Sequence, residues 1–539
     1  MERTRRRRPP QTLRAAVEAG TIAVVVLVLL VVLGVVLTAG RGQSAPPPHT
    51  FVVTQTDDFA SLDPALAASQ EAWELEYSTC AKLLDYPARP GYRGTKLVPE
   101  VATALPRVSS DRLTYALGVR RGWRFSDGER VTAASFARAF ERARSPTLVS
   151  PAAAYLREVA WWRARGQTLT IRLRRPAPDF PQRLALPYFC AVPVWAPDVQ
   201  SDRLPSAGPF FIASYARGRS LLLRRNPYYR GPRGVGVDAI RYVFGAFPSQ
   251  ILLQLERGEA DYGVVSPDAF ASLATKFRSD RRHLFVVQQP TVAYLALNTQ
   301  RPLFRHNPSL RRAVNFALDR ARLAQLFGPR GAVPNDEYLP PGFPGYRAQH
   351  IYPLHGPDLA TARRLARGHL RGGHAVFLAC GSQDCQERAL AVADALRKIG
   401  LHVRIDAAPG YGRLTLADVK GTSFDIADVI TRPDYGDPYA LVDKLLDGRV
   451  IRSVANTNVS YFDDPRFDRS IDRAQRLTGI ARDRAYGRLG VAVARTEAPL
   501  AVYAVLNARV FVSARVGCLI YQPVYGLDLG HVCLSARAS

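Results

Sequence analysis

Leu97–Ala143 reads LVPEVATALPRVSSDRLTYALGVRRGWRFSDGERVTAASFARAFERA, and the order of its elements decides the fold. Leu113–Val119 is rich in β-forming residues with partial alternation, which predicts a strand. Ser126-Asp127-Gly128 supplies the chemistry of a tight turn. Thr132 stands where a helix N-cap is needed, ahead of a run in which Phe136, Ala139, Phe140 and Ala143 share one face. On that helix Arg138, Glu141 and Arg142 are expected to face water.

Working outward, the chain continues to alternate strands and helices. Phe51–Gln55 reads as a first strand, followed by the turn Ser61-Leu62-Asp63-Pro64. Phe210–Tyr215 and Ser220–Arg225 are β-rich runs joined by Ala216-Arg217-Gly218-Arg219, a hairpin closed by Asn226-Pro227. Val286–Thr299 predicts another strand. Leu310, Val314, Ala317, Leu318 and Ala321 recur at helical spacing within Ser309–Phe327, with arginines expected on the other side. Thr361–Gly368, Ala375–Ala379, Gln386–Gly400 and His402–Ala407 read as helix, strand, helix, strand, a βαβ pattern. Phe424–Thr431 is a further strand, and Arg432-Pro433-Asp434-Tyr435-Gly436-Asp437-Pro438 follows it as a turn. Ala501–Leu506 and Arg509–Val512 close the chain as apolar strands.

Three phrases, taken in order, resemble one known family. They are the segment at 97–143, SAGPFFIASYARGRSLLLRRNPYYRG at 206–231 and YLALNTQRPLFRHNPSLRRAVNFALDRARLAQLF at 294–327. They are similar to the family 5 extracytoplasmic solute-binding proteins, the peptide-binding and related receptors of ABC importers. The resemblance implies an α/β, two-lobed periplasmic-binding-protein-like fold (type II, cluster C) with an extra inserted domain. Domain I would comprise 50–94, 205–292 and 500–539, domain II 95–204 and domain III 293–499. The ligand would lie between domains I and III, and a hinge would sit at the crossings near 292 and 500.

The same resemblance implies the site. In peptide-binding members an acidic residue just after a strand beginning FD meets the ligand's α-ammonium group, and here FDIADVIT is followed by Asp434. Leaving a buried ammonium unpaired would cost several kcal/mol, so a carboxylate is the expected partner. Arg432, which stands near a strand end where peptide binders commonly carry Trp, could instead meet a carboxylate. Tyr435 would stack or pack, while Asn298 at the NT strand end and Asp63 in the LDP turn would also face the cleft. The bland alternative is that Asp434 and Asp437 merely cap a Pro/Gly-rich turn.

Composition bounds these readings. The chain has 539 residues, 47% hydrophobic and 22% charged, which is ordinary for a globular protein. Its net charge is +27, of which the first 40 residues carry about +4. Outside the N-terminus there is no dense basic block, so a generally solvated basic surface is the expectation and nucleic acid is not an expected partner; outside the membrane, that surface would be held near anionic lipid headgroups. Residues 1–20 form a basic tail with Arg3, Arg5, Arg6, Arg7, Arg8 and Arg14, and Thr21–Ala39 is apolar over a bilayer-spanning length. The arginines should stay cytoplasmic, making 21–39 a transmembrane signal anchor and 40–50 a linker, or else a long signal peptide cleaved beyond it. The folded part is then expected on the extracytoplasmic face of a bacterial membrane, as a monomer serving a permease and its ATPase.

Six cysteines suit that compartment. Proximity suggests Cys518 with Cys533 and Cys380 with Cys385, leaving Cys80 and Cys190. His350, His355, His369 and His374 cluster in sequence, but a surface loop and helix is the simpler reading, and no metal or cofactor is expected. No nucleophile motif, zinc motif or phosphate-binding loop is present, so the expectation is a binder and not an enzyme. The competing expectation is a membrane-anchored sensor or cell-wall interaction protein using the same fold without transport.

Overall fold

Val292–Leu297 (VAYLAL) has no polar face, as suits a strand covered on both sides. It belongs to Leu284–Leu297, which pairs antiparallel with Leu500–Phe511, from Leu284 opposite Phe511 to Ala296 opposite Leu500. The computed structural model describes residues 49–265, 283–407, 423–452 and 456–535, with a few positions between 269 and 275. The apolar run Thr21–Ala39 lies outside the described residues. Among those described, no helix is long and apolar enough to cross a membrane.

The two paired strands are the spine of the molecule, because each end of them is buried in a different core. In the second lobe they are central in a six-stranded sheet whose order is 332–334, 500–511, 284–297, 426–431, 374–379, 402–407. Alternate residues face opposite layers. Val292, Tyr294 and Ala296 join Val502 and Val505 on one side, and Ala293, Leu295 and Leu297 join Tyr503 and Ala504 on the other. His374–Ala379 and His402–Ala407 run parallel with the helix Gln383–Arg397 between them, the expected βαβ unit.

At the other end Ala508, Val510 and Val512 belong to the core of the first lobe, with Phe285 and Val287 packed against it. On this strand core membership therefore changes between Leu506, packed in the second lobe, and Ala508, in the first. The two short strands expected at 501–506 and 509–512 are one continuous strand for the same reason. A register shift between Gln288 and Val292 interrupts the ladder where the pair passes from one core to the other. An irregularity of this kind bends the strand and increases its twist locally.

The first lobe holds a five-stranded sheet (262–263, 50–55, 239–244, 220–225, 210–216) and a four-stranded antiparallel sheet (107–108, 114–118, 168–173, 159–165). Both sheets feed one apolar core that includes Phe51, Phe136, Phe140, Leu169, Ile171 and Phe210. The opening segment folds as read: Thr114–Gly118 is a strand, Gly128 takes φ +91° in the turn, and Thr132 caps Ala133–Arg144, its N–H donating to Oγ of Ser135.

Two expectations about arginine fail. Arg142 does not face water; its guanidinium is buried against Asp63. The arginines of 309–327 are not all on the outside either: Arg311 and Arg320 are buried, Arg320 donating to the Val502 and Asn315 carbonyls. That segment is also two helices, Pro308–Ala317 and Arg320–Gln325, because Leu318 is extended and Asp319 accepts from the Arg322 N–H to start a second helix.

The structure joins Cys80 to Cys190, Cys380 to Cys385 and Cys518 to Cys533, with Cα separations of 5.4, 5.6 and 5.2 Å. The four clustered histidines do not converge. Among the described residues the one grouping of potential metal donors is Glu76 with Cys80 and Cys190, whose two sulfurs are bonded to each other.

Candidate functional site

The turn 432–438 is carried out of the second lobe by the strand Ile426–Thr431 and returned by the helix Tyr439–Leu446. Asp437 stabilises the turn, accepting from the Tyr439 N–H and holding Arg482 through both carboxylate oxygens at 2.8 and 2.9 Å. The tip enters the first lobe. Tyr435 is buried there, donating its hydroxyl to Asp179 at 2.8 Å, and the Gly436 N–H donates to the Tyr86 hydroxyl at 3.0 Å. Gly436 is needed for this approach: a Cβ there would stand 2.6 Å from the Thr95 carbonyl oxygen.

Asp434 sits beside this contact with its carboxylate turned to a cavity of about 150 Å³. Oδ2 accepts from the Tyr155 hydroxyl of the first lobe at 2.8 Å, and Oδ1 from the Lys444 ammonium at 2.7 Å. Arg157 and Arg183 line the same cavity from the first lobe, and Asp443 and Arg452 from the second. Burial pushes the Asp443 carboxyl up to about 7; Lys444 opposes this and the Asp434 charge adds to it. Burial would also raise Glu158, behind the cavity wall, but Arg183 and Arg157 outweigh it and hold Glu158 down at about 2. The cavity thus combines an accessible carboxylate, a titratable one and several fixed cations. It can take a small charged group presented between the lobes.

A model of the bacterial extracellular solute-binding proteins, family 5 middle region, matches residues 96–452. The chain belongs to family 5 of the bacterial extracellular solute-binding proteins. Among family 5 relatives, the probable D,D-dipeptide-binding periplasmic protein DdpA of Escherichia coli K12 is 24% identical over 74% of this chain and 78% of its own length. The periplasmic oligopeptide-binding protein OppA of Salmonella typhimurium is 22% identical over the same shares, 74% and 78%. In fold, the chain is similar to the clavulanic acid biosynthesis oligopeptide binding protein 2, with TM-score 0.78 and 23% identity over 91% of this chain and 96% of that one. The open, unliganded murein tripeptide-binding protein MppA gives TM-score 0.73 and 19% identity over 92% and 99%.

The residues expected from family 5 do not all meet. Asp434 lines the interlobe cavity. Tyr435 packs across the interface, edge-on to Tyr155 with centroids 6.4 Å apart, and its hydroxyl is used by Asp179. Arg432 also reaches the first lobe, its guanidinium 5.2 Å from the centre of the Trp73 ring. Asn298 is buried within the second lobe, donating to the Phe424 carbonyl and accepting from the Gln300 N–H, so its side chain holds a strand end. Asp63 has no exposed surface: it accepts from Arg142, from the Ala65 N–H and from the Ser201 N–H. Both carboxamide and carboxylate are engaged in local hydrogen bonds where they stand.

Sequence reasoning passed over Tyr155, Asp443 and Lys444. The last two had a signal, since they are the polar pair in the otherwise apolar helix YALVDKLL. Tyr155 had none, because it meets Asp434 from 279 residues away.

Proposed function

We propose that this protein is the peptide-capturing receptor of an ABC importer, closing two lobes over a short peptide and delivering it unchanged to a membrane permease driven by a cytoplasmic ATPase. The observation that carries this reading is the position of Asp434, a carboxylate at the lobe interface, shared between Tyr155 of one lobe and Lys444 of the other. A peptide's α-ammonium group can replace the lysine there. The ligand then makes contacts to both lobes that exist only when they are closed, which is how a ligand shifts such an equilibrium. Domains I, II and III at the boundaries given above describe the same division of labour, with domain II supplying Tyr155. Thr21–Ala39 would anchor the receptor outside the membrane, with the basic tail inside and the positive body near anionic headgroups.

The test is calorimetric titration of the detergent-solubilised full chain with trialanine and its N-acetylated form. Trialanine should bind, and acetylation or Asp434→Asn should each weaken binding about tenfold or more, the scale of removing one partner of a buried charge pair. Equal binding of both forms to both proteins would remove Asp434 from the role. Uptake of labelled tripeptide by cells lacking the gene should fall and return on complementation; unchanged uptake would favour a sensor over a transporter.

A further inference from the structure

A second cavity, of about 200 Å³, lies on the first lobe beside the hinge strands. Gln70, Glu71 and Glu74 enter it from the first turns of the helix Gln70–Thr79, Thr54 and Gln55 from the C-terminal end of the first strand, and Gln289 and Arg509 from the hinge pair. Tyr242, Tyr262 and Tyr521 complete the wall.

Glu74 is only 8% exposed. Its Oε1 accepts from the Leu527 N–H at 3.0 Å and from the Gln70 amide at 3.4 Å. Among the described residues nothing donates to Oε2, and no cation pairs with Glu74 or with Glu71. The cations nearby are otherwise engaged. Arg509 lies over the Phe270 ring and donates to the Pro329 carbonyl, and Arg432 lies over Trp73.

A buried carboxylate with one oxygen free, walled by aromatic rings and helped by a second carboxylate at the mouth, fits a cation better than any other group. The geometry points to a subsite for a cationic side chain, the ammonium of a lysine or the guanidinium of an arginine in the bound peptide, held by Glu74 with Glu71. This deepens the peptide-receptor reading and rests on it for the identity of the ligand, but the cavity's preference for a cation stands on its own geometry. The state of Glu74 agrees with it: burial pushes its carboxyl up to about 8, the Leu527 N–H and Arg432 opposing and Glu71 adding. A cation entering beside Glu74 favours the ionised carboxylate and so drives release of its proton.

The experiment titrates the full chain in detergent with Ala-Arg-Ala, Ala-Ala-Ala, Ala-Glu-Ala and agmatine, a guanidinium compound with no peptide bond. Ala-Arg-Ala should bind about tenfold tighter than Ala-Ala-Ala, Ala-Glu-Ala weaker than either, and Glu74→Gln should erase the order. The advantage of arginine should also grow as pH is raised towards 8, with buffer-dependent enthalpies reporting release of a proton. Should Glu74→Gln fail to fold, Glu71→Gln at the exposed position carries the same test, with a loss of about threefold. Equal binding of the three peptides overturns the subsite and leaves the peptide reading standing. Agmatine binding that Glu74→Gln or Glu71→Gln weakens, with no peptide bound at all, upholds the subsite and overturns the peptide reading. If neither agmatine nor any peptide binds, both fall.

Discussion

Arg142 and Asp63 form a bidentate ion pair, Nη1 to Oδ1 at 2.9 Å and Nη2 to Oδ2 at 2.7 Å, with at most 1% of either side chain exposed. The pair ties the helix Ala133–Arg144 to the turn that leaves the first strand. Removing one partner leaves the other charged and buried, which costs about 3–5 kcal/mol. Arg142→Met and Asp63→Asn are each expected to lower stability by that order in urea titrations, and the double variant by much less than the sum. Additive losses would show that the two residues do not act as a pair.

Lys444 offsets Asp434 in the structure, so an incoming ammonium competes with it. Lys444→Met should tighten trialanine binding severalfold and leave the N-acetylated peptide unaffected, read by calorimetry. Weaker binding of both would mean that Lys444 itself touches the ligand.

Gly436 permits the turn to approach Thr95. A Cβ at 2.6 Å from a backbone oxygen cannot be relieved by rotating a side chain. Gly436→Ala should therefore hold the lobes apart, giving a larger radius of gyration by small-angle scattering that saturating peptide does not restore to the parent value. Tyr435→Phe, which removes only the hydrogen bond to Asp179, should close normally and weaken binding by a factor of a few, about 1 kcal/mol.

Burial lifts Glu74 and Glu76 to about 8, and Glu337 and Asp443 to about 7. In the unfolded chain these carboxyls ionise near 4, so the folded protein binds more protons between there and pH 8, and stability falls as pH rises through that window. His531, raised by its hydrogen bond to Asp528, has the same sign: its contribution is full below its unfolded value and is lost above it. Glu158, held at about 2, opposes this only below pH 4.5, where its stabilisation is lost on acidification. Melting temperature should thus drop between pH 5 and 8. Glu76→Gln, at a site hydrogen-bonded to Thr79 with Asp63 and Lys82 nearby, should flatten the slope by about 1–3 kcal/mol, on the scale of about 1.4 kcal/mol per pKa unit. An unchanged slope would mean that Glu76 does not carry a proton across this range.

Much of the fold was legible in the chain because its signals are local. The hairpin at 210–225 announces itself by two β-rich runs around a glycine, and the βαβ unit at 374–407 by a change of period. The break at Leu318 was not legible, since 309–327 keeps its apolar spacing through it and only the Asp319 cap reveals two helices. At the site, Asp434 was legible as a carboxylate after a strand. Its partners were not: Lys444 returns through a helix, and Tyr155 comes from the other lobe.

Periodicity, turn residues and the order of phrases thus determined which elements form and in what sequence, because each depends on neighbours a few positions away. Only the tertiary structure decided which charges are buried and which face a cavity. Arg142 looks like a solvent-facing helix residue until the turn 79 positions earlier supplies Asp63, and Glu74 looks like any helical glutamate until the paired strands 284–297 and 500–511 wall it in. The free energy of a charge is set by what surrounds it in space, and those surroundings are assembled from segments hundreds of residues apart.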